Sequence, residues 1–376
     1  PQNSADVVRR AAEAFGLSGR LDEVFALEPA ALPEEEDEEP PEPPFPTPTS
    51  VGTALSTFLG VTVRPPADVL WRLYALIPDK SALSPQLQQT LSALLADASG
   101  DAAEAWMARH KMSWISLFET IPVLRDVVSP AALFQMIPPL YARYYSVSSC
   151  ADLAPDRFEL TVSHSAVRVS VSDASASATD AASAAPEADK TQVLQGTCSS
   201  FLRNSRVGDS VCFRVIRVPH FRLPIDPQAP ILCVSSGSGF APFRSFLQRR
   251  MVVLKEFGQL GAFTVASGMR NESEHLYAGE LEEALRAGAI SGVHYAYSRS
   301  KQVPKQYVQD LLKTQPLAST LQRTLGAHPK ASIYICGDAN MAMSATESLV
   351  EVLGADVVAS MKATGRFHVE VFGILH

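Results

Sequence analysis

Residues 231–244 constrain the fold more than any other part of this 376-residue chain. They begin as a short apolar, β-branched run, which is typical of a buried parallel strand. Gly237, Ser238 and Gly239 follow at once, and a segment of helical periodicity then runs on from Phe243. A strand, a glycine turn and a helix bring backbone N–H groups and a helix N-terminus against a phosphate. Taken alone, the glycine pair could equally form an ordinary tight turn.

After residue 229, strand-like runs alternate with helical ones. The predicted strands are 231–234, 262–266, 293–297 and 332–335, and the predicted helices are 243–254, 276–287, 305–312 and 341–353. This alternation predicts a doubly wound α/β sheet with four parallel strands. Ligands bind such sheets outside the carboxyl ends of the strands, and the motifs of this domain all fall at those ends.

Two blocks of different pattern precede this domain. Residues 51–138 carry leucine, alanine and tryptophan at three-to-four spacing, which predicts an all-helical subdomain, and 6–15 predicts one further helix. Closely spaced alternating runs then predict a small antiparallel β-barrel. These runs are 143–147, 157–162, 166–171, 192–194 and 210–216. We therefore predict four divisions, at 1–50, 51–138, 139–228 and 229–376.

The charge of the chain argues against nucleic acid as a partner. The net charge is −8 and the isoelectric point is about 5.6, whereas nucleic-acid binding needs a basic surface. Residues 34–42 carry seven carboxylates and no basic side chain, and we predict a solvated loop there. Residues 172–190 are rich in serine, alanine and aspartate, which predicts a mobile hairpin insert.

The cysteines indicate a reducing compartment. The five cysteines show neither metal-ligand spacing nor the density of a disulfide framework, so we expect no metal site. No targeting signal is visible, and no apolar run reaches the roughly 18 residues of a membrane-spanning helix. We expect a cytoplasmic location or the lumen of a reducing organelle, and no membrane segment in this chain.

Two short motifs in the barrel region could bind a nucleotide. The first consists of Arg143, Tyr144, Tyr145 and Ser146. An arginine can hold a pyrophosphate, a tyrosine can stack on a ring and a serine can donate a hydrogen bond. The second motif consists of Gly196, Thr197, Cys198 and Ser199, a glycine and hydroxyl turn that could cradle an anion. Each could instead be structural, as a strand start with a buried tyrosine and as a tight turn.

Basic and hydroxyl side chains follow the third predicted parallel strand. They are Ser298, Arg299, Lys305, Tyr307 and Gln309. Two cations, two hydroxyls and an amide suit a phosphate monoester with an attached ring. An acidic residue at this place would favour NAD, whereas a basic cluster favours NADP. Lys305 and Tyr307 alone could also belong to a solvated helix face.

The last candidates lie near the end of the chain. Cys336 and Asp338 stand at the end of the fourth predicted strand, and Glu370 and Phe372 lie in an alternating, strand-like tail at 367–374. A buried cysteine is usually a small core residue, and a terminal aromatic side chain could simply fill a core.

Taken together and in order, these motifs resemble the FAD/NADPH half of the diflavin reductases. That family includes NADPH–haemoprotein (cytochrome) reductase, the reductase part of nitric oxide synthase and the sulfite reductase flavoprotein. The resemblance extends from Pro1 to Phe372 through six motifs in the right order. It implies a ferredoxin-NADP reductase-like fold, an antiparallel FAD barrel with an inserted helical connecting subdomain and then the NADP-binding sheet. It also implies hydride transfer from NADPH onto FAD, with electrons passed to an FMN domain or another acceptor.

The resemblance assigns the flavin-binding residues. Arg143 and the turn at 196–199 would hold the FAD pyrophosphate. Tyr145, with Tyr144 beside it, would stack on the isoalloxazine, and Ser146 would lie near its N5 atom. Phe372 would cover the flavin and move to admit the nicotinamide.

The resemblance assigns the NADPH-binding residues in the same way. Gly237, Ser238, Gly239 and Arg270 would line the pyrophosphate. Ser298, Arg299, Lys305 and Tyr307, with Gln309 beside them, would bind the 2′-phosphate. Cys336 and Asp338 would flank the nicotinamide, and the catalytic set would be Ser146, Cys336, Glu370 and Phe372.

Three features depart from the family pattern. Glu370 stands where the family usually has aspartate, and its extra methylene moves the carboxylate by roughly an ångström, enough to slow a positioned reaction. The chain continues for four residues beyond Phe372. Pro1 aligns just after the first barrel strands of the family, so we expect those strands and an FMN-binding, flavodoxin-like domain to lie outside this chain.

Two hypotheses follow. The first is a catalytic FAD/NADPH module of a larger electron-transfer protein, either a stand-alone reductase or a fusion to a haem mono-oxygenase, a nitric oxide synthase or a pyruvate:NADP oxidoreductase. The second is a non-catalytic remnant that binds NADP(H) or serves as a scaffold. An unrelated NADP-binding dehydrogenase would leave the motifs at 143–146 and 196–199 unexplained.

Overall fold

A computed structural model describes residues 2–27, 43–170 and 191–372. The predicted acidic loop at 34–42, the predicted insert at 172–190 and the end of the predicted tail strand lie outside these residues. The chain divides into two units: one comprises Pro1–Arg143 and His164–Asp209, and the other comprises Tyr144–Ser163 and Ser210–His376.

The described part of the first unit is mainly helical. Its helices are α1 (Ala5–Ala14), α2 (Val51–Thr53), α3 (Ala67–Leu76), α4 (Pro85–Leu95), α5 (Asp101–Arg109), α6 (Trp114–Thr120), α7 (Leu124–Val127), α8 (Pro130–Met136) and α9 (Thr197–Asn204). Serine side chains cap several of these helices, as Ser84 does at α4 and Ser129 at α8, where proline takes the first helical position. The helices predicted for 6–15 and for 51–138 are confirmed.

One apolar core holds helices α1 to α8 together. Trp114, Phe118 and Phe134 are fully buried in it, and Phe15 meets Phe118 edge to face at 5.1 Å. Apolar side chains recur on one side of each helix, so burying that side removes a continuous stripe from water.

The strands described in the first unit form two small antiparallel pairs. β1 (Val24–Phe25) pairs with β2 (Thr49–Ser50), and β3 (Ala166–Ser170) pairs with β4 (Thr191–Gln195). The second pair confirms the strands predicted at 166–171, up to residue 170, and at 192–194.

The prediction of the other barrel strands is wrong, because these segments do not pair with neighbouring strands in the described part of the chain. Among the described residues, 143–147 and 157–162 share one isolated bridge, between Val147 and Leu160, and 210–216 forms no ladder. An alternating pattern predicts an extended backbone, but a strand also requires a neighbouring segment that accepts its hydrogen bonds.

A five-stranded parallel sheet forms the centre of the second unit. Its strands are β5 (Ile231–Ser236), β6 (Phe263–Met269), β7 (Gly292–Tyr297), β8 (Ser332–Asp338) and β9 (Phe367–Phe372), in the spatial order β7-β6-β5-β8-β9. The four predicted strands are confirmed. The tail adds a fifth, because β9 pairs in parallel with β8.

Six helices accompany this sheet among the described residues. They are α10 (Ala241–Phe257), α11 (Ala278–Ala287), α12 (Val308–Leu312), α13 (Leu317–Leu321), α14 (Ala339–Leu353) and α15 (Ala355–Ala363). The sequence did not predict α13 and α15. α12 is shorter than predicted, because the Asp310 carboxylate accepts the Tyr307 N–H and the helix begins only after Tyr307.

Strand order creates a switch point beside β5. The chain moves outward from β5 to β6 and β7, then crosses back to place β8 on the other side of β5. In doubly wound sheets the crevice at such a switch point, outside the carboxyl ends of the strands, is where ligands bind. Separate apolar clusters cover the two faces, one around Leu232, Ile333 and Leu349 and the other around Phe243, Phe263 and Tyr334.

Candidate functional site

The glycine turn after β5 packs directly on the end of β8. Gly237 has a φ of +50° and opens a 3₁₀ turn, Gly237–Phe240, that leads into α10. A Cβ on Gly239 would lie only 2.7 Å from the carbonyl carbon of Cys336, so no larger residue fits there. A Cβ on Gly237 would meet nothing within 4 Å. The backbone at Gly237 is therefore open for the close approach of an anionic ligand.

Asp338 closes the other side of the switch point. Its Oδ1 accepts the N–H of Met341 at 3.0 Å and so caps α14, while Ser236 Oγ lies 3.5 Å from its other oxygen. The register of β8 and β9 pairs Asp338 with Phe372, whose side chain is 45% exposed. The turn, Asp338 and the exposed Phe372 thus stand at the carboxyl ends of adjacent strands.

Cys336, Glu370 and Ser146 meet at this edge. Cys336 and Glu370 are register partners on β8 and β9, and Ser146 Oγ donates to Glu370 Oε2 at 3.4 Å. The structure therefore brings together three of the four side chains of the catalytic set that the family resemblance implies.

The thiol of Cys336 is kept protonated by its surroundings. Burial and the nearby negative charge of Glu370 raise its pKa to about 12. Because the thiol pKa is raised in the folded state, its contribution to the free energy of unfolding is fully present below the ordinary pKa of 9.0. That contribution is lost as the pH rises from 9.0 towards 12. At neutral pH, Cys336 is accordingly a neutral hydrogen-bond donor of small volume.

We expect thiol-specific labelling of the native chain at pH 8 to modify Cys212 first. Cys212 is exposed, whereas Cys233 and Cys336 are buried and their thiols have raised pKa values because of that burial. Pulse labelling followed by peptide mass spectrometry measures each site, and urea-unfolded chain serves as the control in which all sites react. Labelling of Cys336 as fast as Cys212 in native protein would contradict the buried environment described here.

The basic cluster lies at the ends of β6 and β7. Backbone hydrogen bonds join the two segments, from Ser298 N to Met269 O at 3.0 Å and from Arg299 N to Arg270 O at 2.7 Å. The side chains of Arg270 and Arg299 are exposed, and Arg270 pairs with Glu274 at 2.5 Å. Two guanidinium groups on adjacent strand ends can reach one phosphate group.

Lys305 and Tyr307 precede α12 rather than lying on it. The Lys305 ammonium stands 4.8 Å from the centre of the Tyr307 ring, and both side chains are exposed. Gln309 is half-buried on the first turn of α12. An exposed tyrosine with a lysine over its ring presents an aromatic face and a positive charge together, which suits a phosphorylated nucleoside.

One member of this region, His275, is not predicted by the sequence pattern. His275 stacks on Tyr295 at 4.2 Å between ring centres, and its Nε2 lies 2.6 Å from the Tyr297 hydroxyl. These contacts hold the end of β7, where Ser298 begins the basic cluster. No motif in the sequence around His275 indicates this role. Its contacts with Tyr295 and Tyr297 become visible only in the folded structure.

The turn at 196–199 is tightly built. Gly196 N–H donates to the Ser165 carbonyl at 2.8 Å, and Ser199 Oγ accepts the Ser165 N–H at 3.2 Å. A Cβ on Gly196 would lie 2.9 Å from the Ser165 Cβ, so glycine is needed there. The turn opens the eight-residue helix α9, and Thr197 and Cys198 stand half-buried on its first turn.

The motif at 143–146 is divided between the two units, with Arg143 in the first and residues 144–146 in the second. Arg143, which ends the first segment of the first unit, is exposed and donates to the Tyr141 carbonyl at 2.7 Å. In the second unit, Tyr144 is 83% exposed and Tyr145 is half-buried beside Ser146. An aromatic ring so open to water is available for stacking on a planar ligand.

Two family models match the chain. One, described as "FAD binding domain", matches residues 1–176, and the other, described as "Oxidoreductase NAD-binding domain", matches residues 233–347. The fold is ferredoxin-NADP reductase-like, an α/β sheet domain joined to an FAD-binding domain of the β-barrel type, as predicted. The chain is thus a flavin oxidoreductase with an FAD-binding and an NADP-binding domain.

The relatives of the chain narrow this class to a family. It is 33% identical over 339 residues to an inducible nitric oxide synthase of Canis lupus familiaris and 31% identical over 338 residues to one of Cavia porcellus. Each match covers 87% of this chain and 27% of the relative, so the chain spans about a quarter of the length of these proteins. The chain belongs to the diflavin reductase family and corresponds to its FAD- and NADP-binding half, a module for electron transfer from NADPH to FAD.

The described residues contain neither a metal-binding cluster nor a membrane-spanning helix. Within 2–27, 43–170 and 191–372, no three acidic, histidine or cysteine side chains are grouped in a way that could hold a metal ion. None of the helices described there is both long and apolar enough to cross a membrane.

Proposed function

We propose that this chain uses Ser146, Cys336 and Glu370 to transfer a hydride from NADPH to FAD. The meeting of these three side chains beside the glycine turn is the observation that carries the proposal. When bound, the flavin supplies the redox chemistry, accepting the hydride of the nicotinamide and releasing its electrons one at a time. The residues of this chain supply position and electrostatics.

The glycine turn fits the pyrophosphate of NADPH. Gly237 has open space where a side chain would stand, and Gly239 is pressed against β8, so the backbone of the turn forms one wall of the switch-point crevice. α10 follows the turn at once and directs the positive end of its dipole towards that wall. Ser238 and Arg270 would donate to the phosphate oxygens.

The three catalytic side chains hold the nicotinamide and balance its charge. The protonated Cys336 and the Glu370 carboxylate would contact the nicotinamide, and Glu370 would stabilise the positive charge that develops there. Ser146 would donate its hydrogen bond near the flavin N5. Phe372 would cover the flavin face and Asp338 would flank the nicotinamide from the end of β8.

The proposed FAD contacts follow the family resemblance. In the first unit, Arg143 and the turn at 196–199 would hold the pyrophosphate, since an arginine and a helix N-terminus both bind phosphate. In the second unit, the exposed Tyr144 and the neighbouring Tyr145 would contact the isoalloxazine. We also propose that the chain is divided into four parts, at 1–50, 51–138, 139–228 and 229–376.

The electron acceptor is proposed from the relatives. Because they are nitric oxide synthases, we infer that electrons from this module would go to an FMN-binding, flavodoxin-like domain and from there to a haem protein or fused partner. A reductase of the NADPH–haemoprotein type, or the reductase part of a fusion such as pyruvate:NADP oxidoreductase, would use the same module. The five free cysteines favour a reducing compartment such as the cytoplasm.

We expect steady-state oxidation of NADPH by the FAD-loaded chain, with ferricyanide as acceptor, to depend on Arg299. Replacing Arg299 by alanine removes a cation from the proposed 2′-phosphate site, so KM for NADPH should rise about 10- to 100-fold. KM for NADH, which lacks that phosphate, should change less than about twofold. The exposed Arg286 at the far end of α11 gives the matched control, R286A, with unchanged kinetics.

The outcomes separate the hypotheses. Turnover with NADPH that shows this pattern supports the proposal. Stoichiometric FAD and normal NADP⁺ binding without any NADPH oxidation would instead indicate the alternative, a non-catalytic NADP(H)-binding or scaffold remnant. An equal effect of R299A on both coenzymes would contradict the assignment of the 2′-phosphate site.

A further inference from the structure

Arg244 joins three elements of the second unit at one buried point. It lies on the first turn of α10, is 9% exposed, and donates to Glu280 on α11 and to Glu159. Glu159 belongs to the segment Tyr144–Ser163, here called the strap, which also carries Ser146. The Arg244 guanidinium further lies 4.3 Å from the centre of the Tyr277 ring. Burial disfavours its charge, but the two carboxylates outweigh burial and raise the pKa of Arg244.

The same guanidinium holds the backbone next to Ser146. Arg244 Nη1 donates to the carbonyl of Ser148 at 3.3 Å, and the Ser148 N–H donates to the carbonyl of Glu159 at 2.8 Å. Ser148 is fully buried, and its hydroxyl has no hydrogen-bond partner among the residues that the structure describes. Leaving a buried hydroxyl unpaired costs free energy, and the two backbone hydrogen bonds at Ser148 offset part of that cost. Two residues earlier, Ser146 faces Glu370.

Tyr277 adds strain to this point. Its backbone is left-handed, with φ 57° and ψ 34°, which is rare for a bulky residue. Its hydroxyl lies 2.6 Å from Thr161 Oγ1 on the strap, and its ring stacks on Phe240 at 6.1 Å between centres. Phe240 ends the 3₁₀ turn that Gly237 opens. Strained backbone of this kind persists where the surroundings hold it firmly, and it clusters at functional sites.

We infer that Arg244 and Tyr277 are positioning residues that fix the strap, and with it Ser146, against the glycine turn and the Cys336–Glu370 pair. Neither is among the residues that we assign to coenzyme or flavin contact. They would act through Ser148, Glu159 and Thr161. A displacement of about 1 Å in a reacting group can cost about 100-fold in rate, so small shifts of the strap matter. This inference rests on the proposed function.

The test compares Y277F and R244K with wild-type chain loaded with FAD. Tyr277→Phe removes only the hydroxyl that meets Thr161, and Arg244→Lys keeps the charge but loses the planar fork that reaches three acceptors at once. We expect the rate of flavin reduction by saturating NADPH to fall about 10- to 100-fold in R244K and about 3- to 10-fold in Y277F. Flavin content and the Kd for NADP⁺ should stay within about twofold of wild type.

A second readout does not depend on turnover. Hydrogen–deuterium exchange of peptides from the strap should speed up in both variants, while peptides from β5 and β8 keep their protection. Arg249→Gln is the matched control. Arg249 lies on the same helix and pairs with Asp152 of the same strap, but both side chains are well exposed, so this variant should change neither readout.

The results discriminate between the two proposals. If NADPH does not reduce the flavin of the wild-type chain, the proposed function fails. Faster exchange of the strap in the variants would then show only that Arg244 is a structural residue, and this inference would be overturned as well. If wild type is reduced but R244K and Y277F transfer hydride at the wild-type rate, only this inference is overturned. Faster strap exchange together with slower reduction and unchanged NADP⁺ binding supports it.

Discussion

Replacing Glu370 by glutamine is expected to slow the reduction of bound FAD by NADPH about 100-fold, the usual cost of removing one preorganised electrostatic contact. Glutamine is nearly isosteric but neutral, so it cannot balance the positive charge that develops on the nicotinamide. It also removes the carboxylate that accepts the Ser146 hydroxyl and that faces Cys336 across β8 and β9. Anaerobic stopped-flow absorbance at saturating NADPH measures the rate.

Two further variants sharpen this test. Glu370→Asp keeps the negative charge and restores the residue usual in the family, so its rate should lie well above that of E370Q. Glu351→Gln replaces an exposed carboxylate on α14 by an amide and should leave the rate unchanged. An E370Q rate equal to that of E351Q would show that the Glu370 charge has no part in the transfer.

Substituting Gly239 by alanine is expected to abolish measurable NADP⁺ binding. The new Cβ would stand 2.7 Å from the carbonyl carbon of Cys336, so the glycine turn must move away from β8 or the end of β8 must shift. Either movement disrupts the crevice that we assign to the pyrophosphate and the nicotinamide. Overpacking of this kind also lowers the free energy of unfolding by about 1–3 kcal/mol. Calorimetric titration with NADP⁺ and urea unfolding measure the two effects.

Variants at two other glycines distinguish the effect of a steric clash from the effect of backbone strain. Gly279 lies in α11 with open space around its Cβ position, so G279A should stabilise the chain by about 0.5–1 kcal/mol and leave NADP⁺ binding unchanged. Gly237 is also open but has a positive φ, so G237A should cost about 1 kcal/mol through strain alone. If G239A binds NADP⁺ as tightly as G279A does, the glycine turn does not form the proposed site.

The sequence predicted the parallel sheet well because its signals are local. Buried β-branched runs, each followed by a turn and a helical period, identify strands β5 to β8 without knowledge of the rest of the chain. The positions of Gly237 and Asp338 at strand ends follow from the same signals. The sequence pattern did not predict α15 as a separate helix. It follows α14 after a single residue, Gly354, and nothing in the pattern marks where a new helix begins.

The assembly of the site could be predicted only in part. The family resemblance brought Cys336, Glu370 and Ser146 together as a set, but no local pattern specifies that β9 pairs with β8 in the register that opposes Cys336 to Glu370. Arg244 and Tyr277 carried no signal at all. Their role depends on contacts between segments more than 80 residues apart in sequence, such as Arg244 with Glu159, which only the folded structure reveals.

The most direct test of the whole account is the absorption spectrum of the FAD-loaded chain before and after one equivalent of anaerobic NADPH. Hydride transfer predicts that the flavin band near 450 nm, roughly where oxidised flavins absorb, bleaches within the mixing experiment and that equal NADH bleaches it far more slowly. A flavin band that persists unchanged with NADPH, in protein that retains its FAD and binds NADP⁺, would contradict it.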